Sequence, residues 1–213
     1  MTPSIVRNVV RMPRKQSKQV RSRISYMSAE QVERFLEAAK AYGVREYAMF
    51  LFGIAHGARA QEICNLRWSD INFNNEQIHI ARVKGSLQST QGLWKVKGNA
   101  LFNESAAFKA WRDVRVADAD DYVFNSRKST QLNRTTVFKL FRTIAKAAGL
   151  PANLQHPHCL KHSCAMLMVQ QRASAFMIRQ HLGHRSFDST LAYVNPSDAD
   201  ASAAAMKCFS QIF

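Results

Sequence analysis

A mainly helical α+β domain with one small antiparallel sheet is the fold class this 213-residue chain predicts. Three observations carry that prediction. Apolar residues recur at helical spacing along most of the length, beginning with Val32, Phe35, Leu36 and Ala39. A single segment, 77–83, alternates with the two-residue period of a strand. Gly85, Gly92 and Gly98 then divide the following stretch into two short pieces, suited to the rest of a small sheet.

The elements follow in order. Residues 1–27 contain Arg7, Arg11, Arg14, Lys15, Lys18, Arg21 and Arg23, no acidic residue, and Pro3 and Pro13. Such a stretch cannot bury a core by itself, so it reads as an extended basic arm, either tracking phosphates or merely solubilising. Ser28 followed three residues later by Gln31 is a capping-box pair and predicts a helix stopped at Gly43. Residues 45–56 are apolar nearly all round, which predicts a central helix broken at Gly57. A short helix is expected over 60–66, leading out through Trp68 to Ile71. After the sheet, helices are expected over 104–114, 134–148, 162–172, 175–182, 186–193 and 198–213. The last carries Met206, Phe209 and Phe213 on one stripe.

Charge narrows the function. Thirty Lys and Arg face fifteen Asp and Glu, a formal net charge of +15. That excess is the footprint of a polyanionic partner, with nucleic acid first and a membrane surface as the rival. The longest apolar run, 47–55, is about half of a membrane span. No apolar segment follows the basic N-terminus as a secretory signal requires. Cys64, Cys159, Cys164 and Cys208 have no disulfide-framework spacing. The expectation is a cytoplasmic, nucleoid-associated protein with reduced thiols and no membrane partner.

Cleaving a phosphodiester requires a nucleophile, cations on the non-bridging oxygens, a base, and an acid for the leaving alkoxide. Candidates for all four roles are present. They lie in Gly57-Ala58-Arg59-Ala60-Gln61-Glu62, in His156-Pro157-His158-Cys159-Leu160-Lys161-His162-Ser163-Cys164, and in Leu182-Gly183-His184 with Tyr193 nine residues later. Taken singly, each has a bland reading: Tyr193 as packing, Arg59 paired with Glu62, His184 as a cap.

Together, in that order, these segments resemble the tyrosine recombinase (phage integrase) family. The resemblance runs from Ser28 to Asn195 and is closest to the short fimbrial-switch type of DNA invertase. It implies the tyrosine recombinase catalytic-domain fold over 28–197, with 1–27 as an arm and 198–213 as a C-terminal helix. By the family's motif, Tyr193 is the nucleophile that forms a 3′-phosphotyrosyl bond. Arg59 grips the scissile phosphate, and Glu62 orients Arg59. His158 acts as general base or phosphate ligand, and His184 hydrogen-bonds the phosphate. The general-acid lysine belongs in the hairpin, where Lys84 matches better than Lys95 or Lys97. Double-stranded DNA is the implied partner, bound as a homotetramer, with a monomer or weak oligomer when free and DNA-bending accessory proteins as further partners. Arg127, Lys128, Arg134 and Lys139 are candidate DNA contacts beside Arg7, Arg11, Arg14 and Lys15, or else a solvated basic face.

Two departures qualify the resemblance. The family's His-x-x-Arg reads His158-Cys159-Leu160-Lys161 here, so charge is kept but the planar bidentate fork is lost. A slowed enzyme is expected. Most members also carry an N-terminal helical domain that closes a clamp on DNA, whereas only the arm precedes Ser28. The expectation is salt-dependent, modestly specific binding. No cofactor is expected, and none is needed where arginine, lysine and imidazole supply the charge. The clustered histidines and cysteines have no paired zinc-ligand spacing, although His158 and His162 stand four apart. The Met206–Phe209–Phe213 stripe either folds on its own core or docks on a neighbouring protomer. A DNA-binding regulator with impaired catalysis and a type IB topoisomerase-like enzyme are the alternative functions.

Overall fold

A computed structural model describes residues 24–115, 121–126, 131–194 and 198–212. Helix α1 (Ala29–Tyr42) begins at the expected capping box: the Ser28 hydroxyl accepts from the Gln31 N–H, and the Gln31 side chain accepts from the Ser28 N–H. Its buried face is Val32, Phe35, Leu36 and Ala39. Helix α2 (Val44–Ala55) is buried from Glu46 to Ala55 and forms the central rod, touching α1, α4 and α6. Phe35, Phe50 and Phe141 pack as a ring cluster with centroids 4.7 to 5.5 Å apart, joining α1 and α2 to α5.

Gly57 ends the α2 turn with φ +56°, a left-handed conformation natural to glycine. A Cβ there would also collide with Leu182. The chain then enters α3 (Ala60–Asn65) and a 3₁₀ turn at Trp68–Asp70. The sheet is three antiparallel strands in the order β1 (Ile71–Asn72), β2 (Gln77–Ile80), β3 (Ser89–Gly92), with Ile71 opposite Ile78 and Ile80 opposite Ser89.

The sheet departs from expectation twice. The strand expected over 77–83 stops at Ile80, because Arg82 turns inward and the Val83 N–H bonds the Glu62 carboxylate at 3.2 Å instead of a neighbouring strand. Of the two short pieces expected to complete the sheet, only one is a strand; the third strand is the two-residue β1 that precedes them.

Helices α4 (Glu104–Val114) and α5 (Arg134–Ala147) are capped by the side chains of Asn103 and Asn133. Helix α6 (His158–Gln170) begins four residues earlier than the expected 162. Pro157 immediately precedes it, where a missing N–H costs nothing. That shift places His158, Lys161 and His162 on the first turns of one helix, at spacings that share a face. Helix α7 (Ala175–Leu182) is capped by Ser174 and ends at left-handed Gly183. Helix α8 is shorter than the expected 186–193, covering only Asp188–Leu191, and Tyr193 sits in the turn after it. Helix α9 (Asp198–Ile212) exposes Met206, Phe209 and Ile212. Phe213, expected on that stripe, lies outside the described residues.

Candidate active site

The site is assembled from four chain segments converging on the start of α6. Arg59 stands at the head of α3, where its guanidinium bonds Glu62 at 2.9 Å and the Ser86 hydroxyl of the β2–β3 connection at 3.1 Å. Glu62 is fully buried and also accepts from the Arg59 N–H at 2.9 Å. Burial pushes its carboxyl up. Arg82 and the N–H donors of Arg59 and Val83 outweigh that effect and hold the group below its ordinary range.

Arg82 is the residue that sequence reasoning missed in this layer. Its buried guanidinium reaches the Glu62 carboxylate at 3.0 Å, the His56 carbonyl at 2.8 Å and the His181 carbonyl at 2.7 Å. It therefore ties the end of α2, the Glu62–Arg59 pair and the end of α7 into one unit. The only sequence signal for it is a cation at an inward position of an alternating segment.

The β2–β3 connection docks on the turn after α7. The Leu87 N–H donates to the Gly183 carbonyl at 2.9 Å. A Cβ on Gly183 would collide with the Leu87 carbonyl oxygen, so this contact and φ +65° both require glycine. Lys84 lies in this connection, exposed, with φ +59°. Lys95 and Lys97 lie past β3, along a surface hollow with Val96 and Asn99 that shares no lining residue with the hollow around Arg59.

On α6, Lys161 is 6% exposed and donates its ammonium to the Leu182 carbonyl at 2.7 Å. Burial, reinforced by Arg59 and Arg82, pulls its pKa down to about 7. His158 is exposed beside Arg59, Lys161, Pro157 and Phe138, which together line a small hollow. Burial of part of its ring and the charge of His156 lower its pKa.

Tyr193 returns to this cluster. Its hydroxyl is 2.8 Å from Nδ1 of His162, and its ring lies nearly parallel to that of His184, with centroids 6.2 Å apart. His184 is buried, and its Nδ1 is 2.9 Å from the Thr190 hydroxyl of α8. Burial and Lys161 lower the His184 pKa to about 4, and burial raises the Tyr193 phenol to about 12. Arg59 acts on that phenol in the opposite direction. Arg59, Lys161, His184 and Tyr193 thus converge, with His158 at the mouth and Lys84 on the neighbouring loop. His162, unassigned in the sequence reading, makes the direct contact to the phenol.

The fold and the sequence both match known proteins. The model of the phage integrase family matches residues 25–200. The chain belongs to the phage integrase family. Its members are tyrosine site-specific recombinases, and this is the activity class of the chain. The type 1 fimbriae regulatory protein FimE of Escherichia coli (strain K12) is 29% identical over 178 residues, covering 81% of this chain and 86% of that protein. FimB of the same strain is 32% identical over 174 residues, covering 79% and 83%. The XerH recombinase, solved on its difH substrate before cleavage, shares the fold with a TM-score of 0.71 and 22% identity. The match covers 85% of this chain and 54% of that one, so this integrase-family chain spans about half of XerH.

Among the candidate DNA contacts, Arg134 and Lys139 are exposed on α5. Thr135, Phe138, Lys139 and Arg142 line a shallow groove with Ala152 and Gln155. Phe138 is shared with the hollow around Arg59 and Lys161, so the groove leads into the site. Arg142 was not singled out in the sequence, because its membership depends on which face of α5 stays exposed. Arg7, Arg11, Arg14, Lys15, Arg127 and Lys128 lie outside the described residues. The histidines have separate partners: His56 bonds Glu104 and Gln91, and His181 bonds the Ala55 carbonyl. Among the described residues, no helix is long and apolar enough to cross a membrane.

Proposed function

We propose that this recombinase cleaves and rejoins double-stranded DNA through a covalent 3′-phosphotyrosyl intermediate on Tyr193. The observation that carries the reading is the position of the Tyr193 hydroxyl, 2.8 Å from His162 and under the influence of Arg59. Arg59 takes the non-bridging oxygens of the scissile phosphate and is aimed by Glu62. Lys161 adds a second positive charge, His158 contacts the phosphate from the mouth, and His184 binds it from beside the phenol. Lys84, carried on a loop held against Gly183, protonates the leaving 5′-oxygen. The energy of the broken ester is kept in the phosphotyrosine, so no nucleotide is consumed.

DNA enters along the α5 groove with Arg134, Lys139 and Arg142, and the basic arm 1–27 and Arg127 and Lys128 add phosphate contacts. Such binding is salt-dependent, and the protein works in the cytoplasm at the nucleoid. The exposed Met206–Phe209–Ile212 face of α9 supports exchange between protomers of a tetramer on DNA. The apolar groove lined by Ala55, Trp94, Leu167, Met168 and Ala173 has the chemistry to receive that face. DNA-bending partners assist assembly.

The test is a denaturant-resistant adduct on a pool of nicked duplexes of randomised sequence. The wild-type chain forms it and Tyr193→Phe does not. A wild-type chain that binds the pool without forming an adduct is instead a regulator derived from a recombinase. Relaxation of supercoils without strand exchange favours the topoisomerase-like alternative.

A further inference from the structure

We propose that His162 is the catalytic base that takes the Tyr193 proton, leaving His158 as a phosphate contact. This rests on the phosphotyrosine reading above and deepens it. His162 Nδ1 lies 2.8 Å from the phenol oxygen, with the two rings 5.7 Å apart. It is the one imidazole among the described residues bonded to that oxygen. His184 has Nδ1 bound to Thr190 and presents its ring face along the phenol ring. His158 sits one helical turn ahead on α6, exposed beside Arg59 and Phe138 at the mouth.

The acceptor is available when it is needed. Burial, with His158 and His156 nearby, holds His162 to about 4, so it is neutral at physiological pH, and in the Nε2–H tautomer its Nδ1 lone pair accepts from the phenol. The phenol itself is raised to about 12, mainly by burial, so it does not ionise unaided. An incoming phosphodiester brings negative charge beside the ring and stabilises the imidazolium as the proton arrives. The step balances. The phenol oxygen bonds phosphorus, its proton passes to His162 Nδ1, the P–O5′ bond breaks, and the 5′-oxygen takes a proton from Lys84. Religation runs the same transfers backwards, with His162 returning its proton to the phenolate.

The test uses the full chain and the nicked-duplex pool. His162→Asn keeps an amide oxygen near the Nδ1 position but removes basicity, so a residue that only positions the phenol is largely spared by it. Loss of a general base slows adduct formation by about 100-fold or more. The expected result is that loss for H162N, together with recovery when Tyr193 is replaced by 3,5-difluorotyrosine, whose more acidic phenol depends less on a base. With difluorotyrosine the gap between H162N and the parent shrinks to within about tenfold. His162→Gln is a second variant, read in the same way. An H162N rate near wild type overturns the proposal. So does a slow H162N, folded as judged by its melting temperature, that difluorotyrosine does not rescue while a His158→Asn variant is rescued. A wild-type chain that makes no adduct removes the phosphotyrosine reading itself, an outcome distinct from either.

Discussion

At the residue scale, the proposed site carries Lys161 where the family resemblance implies an arginine. Lys161 is buried, and its ammonium bonds the Leu182 carbonyl. Removing an oxyanion donor outright costs roughly 2.7–4 kcal/mol, and keeping the charge while losing the fork costs about half of that. Lys161→Arg is therefore expected to raise the cleavage rate by about tenfold, measured on a nicked duplex. A fall would mean that the pocket is built around lysine. The pH dependence has a definite sign. Lys161 ionises near pH 7, so its charge is present below that pH and lost above it. At limiting DNA, the wild-type rate should fall as pH rises through about 7, whereas K161R stays charged and does not show that fall. Arg59, His158, Lys161, His184 and Tyr193 were readable because their order and spacing form a motif. Arg82 was not, and His162 was read as part of the motif without a role, since what each does lies in what it touches: carbonyl and carboxylate groups far apart in the chain for one, and a phenol 31 residues away for the other.

At the scale of elements, local signals were legible where they were local. The Ser28–Gln31 capping box and the buried stripe of α1 match the sequence pattern residue for residue. The C-terminal end of β2 and the start of α6 were misjudged for tertiary reasons. Arg82 leaves the strand to serve Glu62, and Pro157 begins α6 ahead of the apolar pattern that first suggested it. A second buried network joins the elements beneath the hairpin. His56 meets Glu104 at 2.9 Å and Gln91 at 2.7 Å, and Glu104 also accepts from the Trp94 N–H at 2.8 Å. Removing one member strands the others without water. Glu104→Ala should lower unfolding stability by about 3 kcal/mol, read as a lower urea midpoint at unchanged slope. A loss within about 0.5 kcal/mol would show that the network contributes little to holding α2, β3 and α4 together.

At the scale of the whole molecule, the net charge of +15 and the helical pattern pointed to a mainly helical DNA-acting domain. The family match agrees with the activity class, and the XerH likeness agrees with the fold. Whether the terminal stripe folded inward was not legible, because an apolar helical face looks the same whether it meets its own core or another copy. The structure leaves Met206, Phe209 and Ile212 of α9 exposed by 71%, 61% and 71%. Deleting residues 199–213 is therefore expected to leave the monomer's melting temperature within a few degrees of wild type, to abolish tetramers on DNA in analytical ultracentrifugation, and to retain cleavage. Global unfolding of the truncated chain would instead place the helix on its own core. Each chain brings Tyr193 to its own pocket, 2.8 Å from its own His162, so delivery within one subunit is the expected arrangement on DNA. The adduct assay tests it directly with mixed subunits, combining Arg59→Ala and Tyr193→Phe chains beside a wild-type control. An adduct from the wild type and none from the mixture is expected; an adduct from the mixture, with tyrosine and arginine contributed by different chains, would show delivery between subunits instead.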